Sequence, residues 1–351
     1  MQAILSRLHS YKCATLKVPS NTVTRSFLLS CDHFFTRLVK RKCRTGRNRG
    51  EIVSNLRAEG IEPNDFGVEF SFANRATRKS SNKAKTHLSN RIRGSGAVLV
   101  PHPDKAEKGG DDACLVLEHH GVFGIMDGVG GWADKGVDTA TYSSTFAKKL
   151  AAAVLAGEKD PCRMITYAHA ETRVRGSSTA CVATVSPRDG LTLVCIGNLG
   201  DGGAIVVRGK KVVFTTAAQQ HQFNCPFQLG CPRYYPETDS VDDVQRYDVS
   251  VSRGDVLIMG SDGLWDNVFL FEVARVCEEL LMMEGSAQEI AESVADKAFT
   301  NSKDEHYDSP FAQEAREKGY GVGRSERAEI DRLVGGKIDD IAVLVVIFDS
   351  T

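Results

Sequence analysis

Four places in the chain set a carboxylate at the end of an apolar run. Gly109-Gly-Asp-Asp-Ala113 puts Asp111 and Asp112 just before one run. The run 121–126 ends in Asp127, and Gly128, Gly130 and Gly131 follow. The run 255–259 leads through Gly260 and Ser261 to Asp262, with Gly263 next and Asp266 four residues on. Gly335-Gly-Lys-Ile-Asp-Asp-Ile341 puts Asp339 and Asp340 before the last run, 341–348. A strand that delivers a carboxylate into a glycine turn can hold a metal or a phosphate, because a residue without a Cβ lets backbone and ligand approach. A single Asp-Gly is usually a solvated turn; strand-tip acids at four places favour a common site. Like charges buried together are costly unless neutralised. Hard divalent cations, Mg²⁺ or Mn²⁺, match an all-oxygen donor set, and none of the ten cysteines forms a C-x-x-C that would argue for zinc. Two such ions about 4 Å apart can bind a phosphate and stabilise both oxygens of an in-line displacement.

The elements around these acids explain how they could meet. In an antiparallel sheet the end of one strand neighbours the start of the next, so all of them can gather at one rim. The runs 113–118 and 121–126 read as consecutive strands, with His119 and His120 at the turn between them. Adjacent strand residues point to opposite faces, so that His pair is a poor joint ligand. The segment 139–155 places Phe146, Leu150 and Val154 on one helix face, and 161–172 starts a second helix with Pro161 in its first turn. Residues 179–185 and 191–196, parted by Pro187-Arg-Asp-Gly190, form a hairpin pattern. Strands are expected at 204–208, 211–214, 244–251, 255–259 and 341–348, helices at 271–283, 286–299 and 310–318, and a long loop at 216–243.

Composition bounds the function. The chain has 351 residues, 42% of them apolar, and a formal net charge of -1. Residues 1–50 hold eleven Lys and Arg against one acid, Asp32, so the remaining body is net acidic. An acidic body argues against a nucleic-acid partner and against a two-metal nuclease. No apolar run approaches 18 residues, so no membrane span is expected. Cys114, Cys181 and Cys195 sit in strand-like runs and read as reduced core thiols; Cys225 and Cys231 could pair. Residues 1–50, basic and rich in Ser, Thr, Leu and Phe, have the composition of an organelle presequence. The alternatives there are a disordered basic tail or a nuclear signal at Lys40-Arg-Lys42. Residues 51–95 read as a polar, disordered linker and 96–351 as the ordered domain.

The order Gly-Asp-Asp-Ala, Met-Asp-Gly-Val-Gly-Gly, Gly-Ser-Ser-Thr-Ala, Asn-Leu-Gly-Asp-Gly-Gly, Gly-Ser-Asp-Gly-Leu-Trp-Asp and Asp-Asp-Ile-Ala-Val, spread over about 100–350, resembles the metal-dependent type 2C (PPM) Ser/Thr protein phosphatases. Gly-Gly-Trp after the first Asp-Gly, with Gln219 to Leu229 and Ser309-Pro-Phe-Ala312, resembles the branch of the T-cell activation phosphatase homologue and plant organellar relatives. The resemblance implies an α+β fold: a four-layer αββα sandwich of two antiparallel sheets flanked by helices, with a dimetal site at one edge. It implies two Mn²⁺ or Mg²⁺ ions, bridged by Asp127, with the Gly128 carbonyl on one of them, Asp262 and Asp339 on the first and Asp111 on the second. Asp201 and Asp266 match acids that bind a looser third ion. Asp340 stands where the family usually has Asn, leaving Asp339 and Asp340 both open as the ligand. The implied reaction is hydrolysis of phosphoserine and phosphothreonine in proteins by a metal-bridging hydroxide, without a phosphoenzyme. The implied address is the mitochondrial matrix, with plastid, or cytosol and nucleus, as alternatives.

The sequence departs from the family in three places. Asp111 replaces the usual Glu. Val129 replaces the His that often follows the Asp-Gly as a general acid, leaving metal-bound water or His221 to protonate the leaving group. Lys105 and Lys108 replace the usual phosphate-binding Arg. Val129 and Asp111 motivate an alternative, a pseudophosphatase that keeps the fold and metal site as a binding module.

Overall fold

The computed structural model describes residues 91–320 and 333–349, together with the backbone of one short strand, Leu28–Ser30. Apart from that strand and residues 91–95, the expected presequence (1–50) and linker (51–95) lie outside the described residues. In chain order the strands are β1 (Leu28–Ser30), β2 (Ile92–Val100), β3 (Ala113–Leu117), β4 (Val122–Met126), β5 (Ser177–Ser178), β6 (Ala180–Arg188), β7 (Leu191–Leu199), β8 (Gly203–Arg208), β9 (Lys211–Thr215), β10 (Gln220–Gln222), β11 (Cys225–Pro226), β12 (Leu229–Gly230), β13 (Gln245–Val251), β14 (Val256–Gly260) and β15 (Ile341–Phe348). The α-helices are α1 (Ala140–Leu155), α2 (Pro161–Glu171), α3 (Asp262–Trp265), α4 (Leu270–Met282), α5 (Ala287–Ser302) and α6 (Pro310–Glu317).

Two larger sheets form. One has the order β1-β3-β4-β6-β7-β13 and the other β2-β15-β14-β8-β9. All pairings are antiparallel except that of β1 with β3. Period-two alternation sorts the side chains. Cys114, Phe123, Ile125, Ala183 and Ile196 of the first sheet meet Val206, Leu257, Met259, Leu344 and Phe348 of the second in the central core. On the outer face of the first sheet, Leu115, Leu117 and Met126 pack against Phe146, Leu150 and Ile165 of α1 and α2. On the outer face of the second, Ile341, Val343, Val345 and Ile347 pack against Ile290, Val294 and Ala298 of α5, joined by Val273 and Cys277 of α4. This is the expected helix–sheet–sheet–helix sandwich. Strand β15 is buried on both faces, which is why 341–348 is an uninterrupted apolar run rather than an alternating one. Each such fully buried side chain contributes about 1.5–3 kcal/mol.

The helix starts are chemically marked. Asp160 caps α2 by accepting from the Arg163 amide, with Pro161 at the first helical position. Ser286 and Glu289 form a capping box on α5. Ser309 caps α6 ahead of Pro310.

Two expectations change. The loop 216–243 carries three short strands, of which β12 pairs with β5, so it is tied to Ser177 and Ser178 rather than free of regular structure. The turn after Ser261 is the first turn of a short helix, α3. The described cysteines are free, Cys225 and Cys231 included, and among the described residues no helix is long and apolar enough to cross a membrane.

Candidate metal centre

The acids gather where the strands of both sheets end. Asp127 leaves β4 and is clasped by the segment beside it. Its amide donates to Thr179 Oγ1 (3.2 Å), its carbonyl accepts from the Thr179 amide (2.9 Å), and the Val129 amide donates to the Ser177 carbonyl (3.1 Å). Gly128 is required by close approach: a Cβ there would lie 2.5 Å from the Asp111 carbonyl oxygen. The second sheet repeats the device. Asp262 opens α3 after β14, and a Cβ on Gly263 would lie 2.0 Å from the Asp340 carbonyl oxygen. Each Asp-Gly turn is thus pressed against the Asp-Asp pair that enters the neighbouring strand.

One carboxylate oxygen each of Asp127, Asp201 and Asp262 lies within 4.8 Å of the others. Asp201 sits between β7 and β8; its Oδ2 accepts from Gln220 Nε2 (3.2 Å), while its Oδ1 is buried without a hydrogen-bond partner. Both oxygens of Asp112 are buried and unpartnered too. Burial, and then the charges of Asp262 and Asp112, push the Asp127 carboxyl well above the usual range. Burial and then Asp340 do the same to Asp112. Burial pushes Asp201 up to about 8, with Asp262 adding to it, and Asp266 up to about 7 against the pull of Lys337. Asp339 is raised by burial and by Asp262. Burial also works to raise Asp262, but the Lys337 ammonium and hydrogen bonds outweigh it, and its carboxyl is held below the ordinary range. Orphaned buried carboxylate oxygens, mutually repelling and all of one hard donor type, fit divalent ions such as Mg²⁺ or Mn²⁺.

The sequence-predicted residues divide. Asp127, Asp201 and Asp262 meet directly. Asp339 borders them, its charge acting on both Asp127 and Asp112. Asp340 does not offer a free oxygen: Oδ1 accepts from the His102 amide (2.7 Å), and Oδ2 from Lys105 Nζ (2.8 Å) and the Asp111 amide (3.1 Å). Asp111, expected in the centre, has its Oδ2 2.6 Å from Lys105 Nζ instead. Asp112 takes the inward position. The cause is strand alternation: Asp112 shares a face with Cys114 in the central core, whereas Asp111 shares one with Ala113 on the outer side.

Lys105, expected on a phosphate, is committed to Asp111 and Asp340, and Lys108 is exposed. His221, expected as a proton donor, faces away from Asp201. Neighbouring strand residues alternate, so with Gln220 on Asp201, His221 stacks on Phe227 (centroids 4.0 Å) and bonds Asp239 (2.8 Å). Asp266 is present at the edge, its Oδ2 2.8 Å from Lys337 Nζ. Sequence reasoning misses Lys337. Its Nζ contacts Asp262, Asp266 and Asp339 (3.2 Å), and its position two residues before Asp339 is the one available signal.

No protein-family model matches the chain. It is 37% identical over 257 residues to Probable protein phosphatase 2C 26 of Arabidopsis thaliana, covering 71% of this chain and 82% of that protein. It is 36% identical over 253 residues to the human Protein phosphatase PTC7 homolog, covering 68% and 79%. Among solved structures, that of the photosystem II phosphatase PBCP superposes with a TM-score of 0.67 at 33% identity, covering 74% of this chain and 99% of that one. These relatives are named as phosphatases, and none supports the binding-module alternative. With the two-sheet sandwich and the rim of buried carboxylates in place, the kinship settles the family: the chain belongs to the metal-dependent type 2C (PPM) Ser/Thr protein phosphatases and dephosphorylates proteins.

Proposed function

We propose that Asp127, the Gly128 carbonyl, Asp262 and Asp339 hold a pair of Mn²⁺ or Mg²⁺ ions, with Asp112 rather than Asp111 completing the set from the first sheet. The observation that carries this reading is the meeting of Asp127, Asp201 and Asp262 oxygens within 4.8 Å, beside unpartnered oxygens of Asp112 and Asp201. When bound, such ions neutralise a phosphate and activate water for in-line attack. The chain's own residues set the geometry. Thr179 and Ser177 fix the Asp127 turn through three backbone-directed bonds, and Gln220 orients Asp201. Val129 carries no proton, and its amide is spent on Ser177. The substrate class is phosphoserine and phosphothreonine in proteins, and the strap 219–243 that runs from Asp201 past Ser177 borders it. The test is Mn²⁺-dependent phosphate release from a phosphopeptide by the full chain. Turnover that vanishes in Asp127→Asn supports the reading; no turnover in the wild type, or full turnover in that variant, overturns it.

We also propose an organellar address. The basic, acid-poor residues 1–50 support import into the mitochondrial matrix, and the relative described as a photosystem II phosphatase supports the plastid as the alternative. Fusing residues 1–50 to a fluorescent reporter decides: organellar fluorescence is expected, and a diffuse cytosolic or nuclear signal would contradict it.

A further inference from the structure

Beside the carboxylates lies a cleft that the proposed function leaves without a role, and the role inferred for it rests on that function. The cleft has a volume of about 140 Å³ and opens at Asp201, between the start of β8, the end of β9 and the junction of α3 with α4; its lining includes Thr215, Thr216, Ala218, Trp265 and Leu270. Two of its walls belong to the carboxylate site. Asp201 is one of the three acids that meet within 4.8 Å, and Trp265 ends the short helix that Asp262 opens.

The chemistry of the lining selects the guest. Trp265 Nε1 donates to the Gly260 carbonyl (2.9 Å), which fixes the indole. Thr216 Oγ1 accepts from the Ala204 amide (3.0 Å), and the Thr216 amide donates back to the Ala204 carbonyl (2.9 Å). Thr215 Oγ1 donates to the Thr216 carbonyl (3.0 Å). Each of these polar side chains is bonded within the protein, and the rest of the surface is indole carbon, the Leu270 side chain and the Ala218 methyl. A polar guest would lose water there without gaining a partner, whereas an apolar one is favoured. Asp201 at one end repels a carboxylate. Leu270 is 37% exposed, so apolar surface stays open at the mouth. An apolar cavity of about 150 Å³ holds benzene, so the cleft matches one leucine- or phenylalanine-sized side chain. A peptide spans at most about 3.6 Å per residue. A phosphorylated residue held at the acids therefore meets a cleft that begins at Asp201 with one of its near neighbours.

We propose that this cleft is a specificity subsite. It takes an apolar side chain of the substrate protein within two positions of the phosphorylated residue, and Trp265 and Leu270 are the residues that select it.

The test compares phosphothreonine peptides that carry Leu, Ser or Asp at one of the two positions on either side, hydrolysed by the full chain with Mn²⁺. At one position Leu is expected to exceed Ser in kcat/KM by about tenfold, mainly through KM, with Asp lowest. Ala218→Phe, which fills the cleft, and Leu270→Asp, which makes its mouth polar, are each expected to bring the Leu-to-Ser ratio close to one, whereas Leu270→Met keeps it. Each ratio is taken on one preparation, so a general loss of activity cancels. A second readout needs no turnover: a Leu peptide with a non-hydrolysable phosphonate is expected to change the indole fluorescence of the wild type but not of Trp265→Phe. Equal rates for Leu and Ser at all four positions, or a preference that survives the cleft variants, would overturn the inference; so would a fluorescence change that persists in Trp265→Phe. Should one cleft variant not fold, the other decides. A wild type that hydrolyses none of the peptides would overturn the phosphatase reading and this inference together, whereas turnover without a Leu preference sinks the inference alone.

Discussion

The two sheets build the same corner with opposite outcomes. In the first, the Asp127-Gly128 turn presses on the Asp111-Asp112 pair; in the second, Asp262-Gly263 presses on Asp339-Asp340. Each corner has a lysine. Lys105 sits on Asp111 and Asp340, and the backbone amides of His102 and Asp111 complete the shell of Asp340. That assembly ties the approach to β3 to the approach to β15, and both oxygens of Asp340 are spent on it. Lys337 sits on Asp262, Asp266 and Asp339, beside the acids that stay open. Among the strand-tip acids that Lys337 does not touch, the contrast suggests a criterion for the proposed ligands: a carboxylate whose oxygens are both taken by N–H donors is scaffold, and one with both oxygens buried and unpartnered is a ligand. Asp340 falls in the first class and Asp112 in the second.

The strongest way to break the comparison is to remove the open side. Asp127→Asn should lower kcat/KM on a phosphopeptide by on the order of 10³-fold or more, because bound metal stabilises transition-state charge by several kcal/mol; steady-state kinetics at fixed Mn²⁺ checks it. The scaffold side should respond differently. Asp340→Asn weakens a buried, hydrogen-bonded anion and should cost about 1–3 kcal/mol of stability, seen as a lower melting temperature, while the number of bound Mn²⁺ ions is kept. A lost ion with unchanged melting would exchange the two classes.

A smaller effect separates the corners by pH. Asp266 and Asp201 titrate in the folded metal-free chain at about 7 and about 8, against an ordinary 3.8. The folded state therefore holds protons that the unfolded chain has released. The stability this contributes is complete below the ordinary carboxylate range and is lost as pH rises through about 7 to 8. Metal-free protein should melt higher at about pH 5.5 than at about pH 8.5, and saturating Mn²⁺ should flatten the difference. Asp262, whose carboxyl is lowered, works in the opposite sense only at more acid pH.

Much of this is legible in the chain itself. Apolar periods locate the strands and most helices, and carboxylates at four strand ends locate the rim. The face of each acid within an Asp-Asp pair is not legible from motif resemblance, although period two, counted back from the inward-facing Cys114, puts Asp112 rather than Asp111 on the inner side. The placement of His221 on Asp239 and Phe227 is not legible for a different reason: the short strand Gln220–Gln222 is hidden in a segment without periodicity, so the face of each residue cannot be read. Lys337 is invisible as a partner because its contacts with Asp262 and Asp266 span more than 70 residues and depend on β14 and β15 lying side by side.

That orphaned oxygens, and not motif position, mark the ligands is tested most directly by titrating Mn²⁺ into Asp112→Asn and Asp111→Asn of the full chain by calorimetry. Asp112→Asn is expected to weaken Mn²⁺ binding by on the order of tenfold or more, as loss of a group at the metal does, while Asp111→Asn binds as the wild type does. Wild-type binding in Asp112→Asn with weakened binding in Asp111→Asn would restore Asp111 as the ligand and refute the criterion.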